Sequence, residues 1–247
     1  MMSCPRVWNE ILDMAVRNER NQQLLVRLMQ DVLAFFNRSS DAATSTRQLQ
    51  AMPLIEVACL GNPERTMQSE LHAYLRSRLW NSVCEMGYRH APGDRGDADI
   101  ALFDSFHRDK VLLCVIELKH FSANQGDACT LTAGLDSDYR LSRPSVPMMQ
   151  IGLYTVVESI TPPLQPEYDR GIYRFLNTYC RGTLPPRFTA GQILRDWSAT
   201  TAQTWLQPFE PVIGQTPTAS FWDDRNAFIS GHVEYVVGIR QPALLGL

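Results

Sequence analysis

Apolar residues recur at spacings of three and four along the first part of the chain. Trp8, Ile11, Leu12 and Ala15 form one such run, and Leu24, Leu25, Leu28, Val32 and Phe35 form another. This is the period of an amphipathic helix, so residues 5–37 are expected to be helical, with a polar break over 17–21. The stretch 37–48 is rich in Ser, Thr, Ala and Asp and reads as a linker. Asn62-Pro63-Glu64 supplies a cap, a first-turn proline and an acid, which predicts a helix burying Leu71, Tyr74, Leu75, Leu79 and Val83. Two short apolar runs follow, Asp99–Phe103 and Val111–Ile116, joined by a polar stretch. They read as a β-hairpin whose second strand is buried on both faces.

Further on, 122–146 reads as loop, Pro147 as the start of a helix through Ile160, and 161–231 as proline-punctuated, with helices near 171–180 and 189–206. His232–Arg240 reads as a final strand. Helix, hairpin, helix and later strand define a mixed α/β chain. The expected organisation is an N-terminal helical extension over 1–50 and a main domain over 51–247, the latter elaborated at 161–231.

Charge narrows the function classes. The net charge is −3, and residues 1–64, 65–150 and 151–247 each carry −1. No segment is a polyelectrolyte, so contact with nucleic acid would rest on a local arginine patch. The six cysteines are scattered without a C-x-x-C pair, which fits reduced thiols in an intracellular, cytoplasmic or nuclear protein. No apolar run is long enough to span a membrane, so no membrane contact is expected.

Candidate chemistry sits on the hairpin. Strand residues two apart share a face, so Glu117 and Lys119 point the same way. If Phe103 lies opposite Val111, Asp99 lies opposite Val115 and diagonal to Glu117, on the same face, at roughly 7–8 Å between Cα atoms. Two carboxylates at that distance can share a hard divalent cation such as Mg²⁺ or Mn²⁺. Lys119 would stand beside it, able to orient a water or to neutralise a phosphate. Asp97 is most simply a turn residue, and His120 an exposed strand-end histidine.

Gly96-Asp97-Ala98-Asp99 followed by Val115-Ile116-Glu117-Leu118-Lys119 resembles the core of the PD-(D/E)xK nuclease superfamily. Gln150-Ile151-Gly152-Leu153-Tyr154, a Q-x-x-x-Y pattern, completes a similarity to its RecB-like branch over about residues 64–160. Ala98 stands where the naming proline would be. The resemblance implies a restriction-endonuclease-like core, a central mixed β-sheet flanked by helices. It implies a Mg²⁺- or Mn²⁺-dependent nuclease, with DNA the favoured substrate and 5′-phosphate products. The ion would be held by Asp99, Glu117, the Leu118 carbonyl and the helix-borne acid. Glu70 matches that acid, with Glu64 and Glu85 as alternatives. Gln150 and Tyr154 would support the site from a helix. The alternative is a catalytically silent nuclease-fold module that binds a partner, with the N-terminal helices as candidates for a protein-partner or homodimer surface.

Of 23 basic residues, 21 are arginine and only Lys110 and Lys119 are lysine. Lysine scarcity marks GC-rich genomes, and also proteins delivered into another cell. It also isolates Lys119: a compact, rotatable ammonium beside two carboxylates serves a purpose that a planar guanidinium meets less well. In a nuclease assay Lys110→Arg is expected to be silent, whereas Lys119→Arg is expected to remove most of the activity.

Overall fold

The computed structural model describes residues 5–38, 53–59, 63–89, 95–104, 111–122, 133–137, 139, 146–161, 195, 197–222 and 227–242. The predicted amphipathic helix forms as one element, α1 (Pro5–Phe36), and runs through the polar stretch at 17–21 without a break. Leu25, Leu28, Met29, Val32, Phe35 and Phe36 are buried at the expected spacing. A short helix α2 (Leu54–Ala58) precedes α3 (Pro63–Ser77), which buries Met67, Leu71 and Leu75. α3 stops earlier than its apolar pattern suggests. Leu79 adopts φ 65°, a left-handed conformation that ends a helix, and is 76% exposed. The Trp80 amide then bonds back to the Leu75 carbonyl at 3.0 Å. The chain turns at once into strand β1 (Asn81–Arg89), where Val83 is exposed rather than on a buried helix face.

The hairpin is present as β2 (Arg95–Phe103) and β3 (Leu112–Ser122). The segment expected to be a helix after Pro147 is instead a strand, β4 (Met148–Thr161). Its β-branched residues (Ile151, Thr155, Val156, Val157, Ile160, Thr161) favour an extended chain, and its first ten residues are buried. β5 (Val212–Gln215), β6 (Ala219–Trp222) and β7 (Phe228–Arg240) follow. The predicted last strand is therefore real and starts four residues earlier. The predicted helix at 171–180 and the linker core at 39–48 lie outside the described residues. Within 189–206 the described part includes helical residues 197–200, and 133–137 forms a helical turn inside the expected loop.

The seven strands form one mixed sheet in the order β1-β2-β3-β4-β7-β5, with β6 also on β7. Only the β3–β4 pairing is parallel; the other neighbours are antiparallel. One face of the sheet carries Ile100, Cys114, Ile116, Leu118, Met149, Ile151, Leu153, Val233, Tyr235 and Val237, packed in a single apolar cluster with α1, α2 and α3. The first helix is thus no appendage. Phe36 stacks on Tyr235 with ring centroids 4.7 Å apart, and the Tyr235 hydroxyl bonds Asn37 Oδ1. Asp31, on the same helix, accepts Trp80 Nε1–H at 2.8 Å and pairs with Arg78. The opposite face carries a second cluster of Leu135, Tyr154, Val156, Trp197, Trp205 and Val236.

Because α1 shares the main core, Phe36→Ala is expected to cost about 3–5 kcal/mol of global stability, as truncation of a buried phenylalanine does. Urea denaturation followed by tryptophan fluorescence checks this; a separable extension would leave the main transition unmoved.

Candidate active site

β3 is central, and its alternation sets what each face receives. Cys114, Ile116 and Leu118 face the helices, which leaves Val115, Glu117 and Lys119 for the opposite face. β2 pairs with β3 through Ile100↔Ile116, Ala101↔Val115 and Leu102↔Cys114, with an irregularity at Leu102/Phe103 that brings Phe103 opposite Leu112. The pairing is shifted by two residues from the expected one. An even shift keeps every side chain on its face. Asp99 follows directly beyond the Ile100↔Ile116 pair instead of lying on the diagonal. Its carboxylate is tied to β3: Asp99 Oδ2 accepts the Leu118 N–H at 2.7 Å.

α3 closes the site from its first turn. The Gln68 amide donates to the Asp99 carbonyl at 2.6 Å. Glu64, one turn earlier on the same stripe, lies 3.7 Å from Lys119 Nζ and accepts the His120 N–H at 3.3 Å. Glu70 is not the acid that reaches this place. Six residues past Glu64, it lies on another side of α3, 41% exposed, and pairs with Arg38 at 3.5 Å. Glu85 is on a strand, not a helix; it pairs with the exposed Arg65 and has φ 49°, a strained conformation for a non-glycine residue. Glu64 thus stands against Lys119 and Gln68 against Asp99, while Asp99 is tied to β3 at Leu118, the residue after Glu117. Gln68 had a legible signal: it sits beside the buried Met67–Leu71 stripe and four residues after Glu64, and is itself buried.

Gln150 and Tyr154 do share a face, because residues four apart do so on a strand as on a helix. In the parallel β3–β4 register Glu117 pairs with Gln150 and Lys119 with Gly152. Gln150 is fully buried; its Nε2 donates to the Leu135 carbonyl at 2.5 Å, and its Oε1 has no hydrogen-bond partner. Tyr154 is buried too. Burial, and after it the charge of Glu234, pushes its phenol above the ordinary range, so it stays a neutral hydroxyl.

Beyond Tyr154, on the same face, His232 Nδ1 lies 2.8 Å from Glu158 Oε1, and Nε2 lies 3.7 Å from Glu234. Glu234, joined by Glu158, raises the His232 pKa against the opposing effect of burial. His120 points to the helix face, where it bonds Thr155 Oγ1 at 2.6 Å, and burial lowers its pKa to about 4. It is not an exposed strand-end residue and does not stand with Lys119. Burial likewise pushes the Cys114 thiol up to about 12, which leaves it inert.

Among the described residues no three His, Cys, Asp or Glu side chains converge as a metal site. No helix among them is long and apolar enough to cross a membrane. Comparison of the chain with protein-family models, with curated proteins and with solved structures finds no match.

The two histidines predict pH effects of opposite sign. Unfolded histidine titrates near 6.5. His232, raised when folded, contributes stability that is complete below that pH and is lost as pH climbs through its folded value. His120, lowered to about 4, binds its proton first in the unfolded chain, so stability falls as pH drops from 6.5 towards 4, by about 3 kcal/mol at most. Thermal melts across pH should show His232→Gln removing the alkaline-side decline and His120→Gln the acid-side one; variants that leave the profile unchanged refute the assignment.

Proposed function

We propose that the chain is a metal-dependent nuclease that hydrolyses phosphodiester bonds of nucleic acid, DNA by preference. Asp99, Glu117 and Lys119 form the centre of the site. The observation that carries this reading is the Asp99 Oδ2–Leu118 N–H bond, which fastens Asp99 to the strand that bears the E-x-K triplet. The mixed sheet flanked by helices is compatible with the restriction-endonuclease-like core that the motif resemblance implies, and that core remains part of the proposal.

The donor set suits Mg²⁺ or Mn²⁺. Asp99 and Glu117 are hard oxygen ligands, a carboxylate that accepts one N–H keeps further lone pairs, and the buried Gln150 Oε1 is an acceptor in want of a donor, such as a bound water. Mg²⁺ keeps several waters and often takes only one or two carboxylates, so a third acid is not required. Asp99 and Glu117 would hold the ion, with the Leu118 carbonyl as a further donor. When bound, it polarises the scissile phosphate and lowers the pKa of an attacking water. Lys119, 28% exposed and steadied by Glu64, orients that water and offsets charge building on the phosphate oxygens. Glu64 replaces Glu70 as the helix-borne acid of the proposal. Tyr154 supplies a neutral hydroxyl beyond it.

A second reading, a silent module of the same fold that binds a partner, is favoured by the absence of a three-acid cluster among the described residues. Incubation with single- and double-stranded DNA and RNA in Mg²⁺ or Mn²⁺ separates the two. Cleavage that drops about 100- to 1000-fold in Asp99→Ala and Lys119→Ala supports the nuclease. Cleavage that survives both changes overturns these roles, and no Mn²⁺ binding at millimolar concentration by calorimetry favours the silent module.

A further inference from the structure

Gln150 occupies an unusual position. It is fully buried, one strand from Glu117 and on the same face, yet only one end of its amide is bonded. That end cannot be reversed. The Leu135 carbonyl only accepts, so the group 2.5 Å from it must be the NH₂, and the oxygen must face away. Whatever holds the Leu135 carbonyl still therefore decides where a lone buried acceptor stands beside Glu117.

Leu135 lies in the helical turn over 133–137, and the next residue, Asp136, anchors that turn to the end of β7. Arg240 Nη2 donates to Asp136 Oδ1 at 2.6 Å, and Trp197 Nε1 donates to the same oxygen at 3.2 Å. The Arg240 side chain is 3% exposed and sits among three rings, Tyr139, Trp197 and Trp205, at 4.6, 5.2 and 5.0 Å from their centroids. Tyr139 bonds onward to the Gln241 carbonyl at 3.1 Å. A guanidinium suits this place: it is planar, stacks on rings and bonds in a fixed direction, where an ammonium would do only the last in part.

We propose that Asp136 and Arg240 are positioning residues for the Glu117 side of the centre, acting through the Leu135 carbonyl on the orientation of Gln150. The proposal rests on the nuclease reading for the use made of Gln150, but not for the clamp itself. With Asp136 bound to Arg240, the turn is fixed, the amide is fixed, and Oε1 is offered to a hydrogen donor, such as a water on an ion held by Glu117.

The test combines two readouts on the full chain. Side-chain amide exchange of Gln150, followed by NMR on protein labelled with ¹⁵N-glutamine, reports the clamp. Calorimetric titration with Mn²⁺ reports its consequence. In Asp136→Asn the Gln150 amide protons are expected to lose protection, and Mn²⁺ affinity to weaken about tenfold, as when a partner behind a metal ligand is removed. In a Gln150→Met background, Asp136→Asn is expected to cause no further loss, a dependence that mere destabilisation would not produce. Arg240→Lys serves as the second clamp variant should Asp136→Asn fail to fold, with the same outcomes expected. Protection retained in a folded clamp variant, or affinity losses that multiply in the double variant, overturns the proposal. Absence of Mn²⁺ binding by the parent chain with intact protection overturns the nuclease reading and the functional use of the clamp, and leaves the clamp itself established.

Discussion

A strand buried on both faces cannot carry charge without partners, and β3 is such a strand. Removing a carboxylate or an ammonium from water costs several kcal/mol unless hydrogen bonds and counter-charges replace the solvent. Where β3 turns from Val115-Ile116 to Glu117-Leu118-Lys119, the surrounding elements are arranged to meet that demand. β2 sends in Asp99 to bond the strand's own amide, and α3 sends Glu64 to Lys119 and His120. Further out, Tyr154, Glu234, His232 and Glu158 form a second polar group on the same face. The buried Arg240 is met by the Asp136 carboxylate and by the rings of Tyr139, Trp197 and Trp205.

Elements whose period is unambiguous were legible in the sequence. α1 and the start of α3 follow from three-and-four spacing and a proline at the first turn, and β2, β3 and β7 follow from short apolar runs between turn residues. β4 was not, for a geometric reason. Its apolar residues are nearly continuous, and a four-residue spacing puts Gln150 and Tyr154 on one face in either conformation. The β-branched residues after 150 were the better guide. β1 was hidden because Leu79 and Val83 extend the α3 pattern across a stop that depends on a left-handed leucine, a conformation sequence usually marks with glycine.

The site divides the same way. That Glu117 and Lys119 project from one face of β3 was readable from alternation alone, and a shift of register by two residues does not change it. The choice among acids was not readable. Glu64 and Glu70 are both plausible on an amphipathic helix, and only the angle at which α3 crosses the sheet decides that Glu64 meets Lys119 while Glu70 meets Arg38. Asp136 and Arg240 are further still from detection, being 104 positions apart with no local signal.

The sheet order has a kinetic consequence. β4 takes β3 on one side at once, but its other edge waits for β7, which begins more than sixty residues later. The contact between Tyr235 and Asn37 spans 198 positions, so α1 also settles fully only after β7 has arrived. Such long loops must close before the contacts that reward them form, which places this chain among slow folders of high contact order. Until then the open edge of β4, whose first ten residues are buried in the folded chain, is a template for pairing with another chain, and quality-control factors that shield strand edges would have their greatest effect on this protein in that interval.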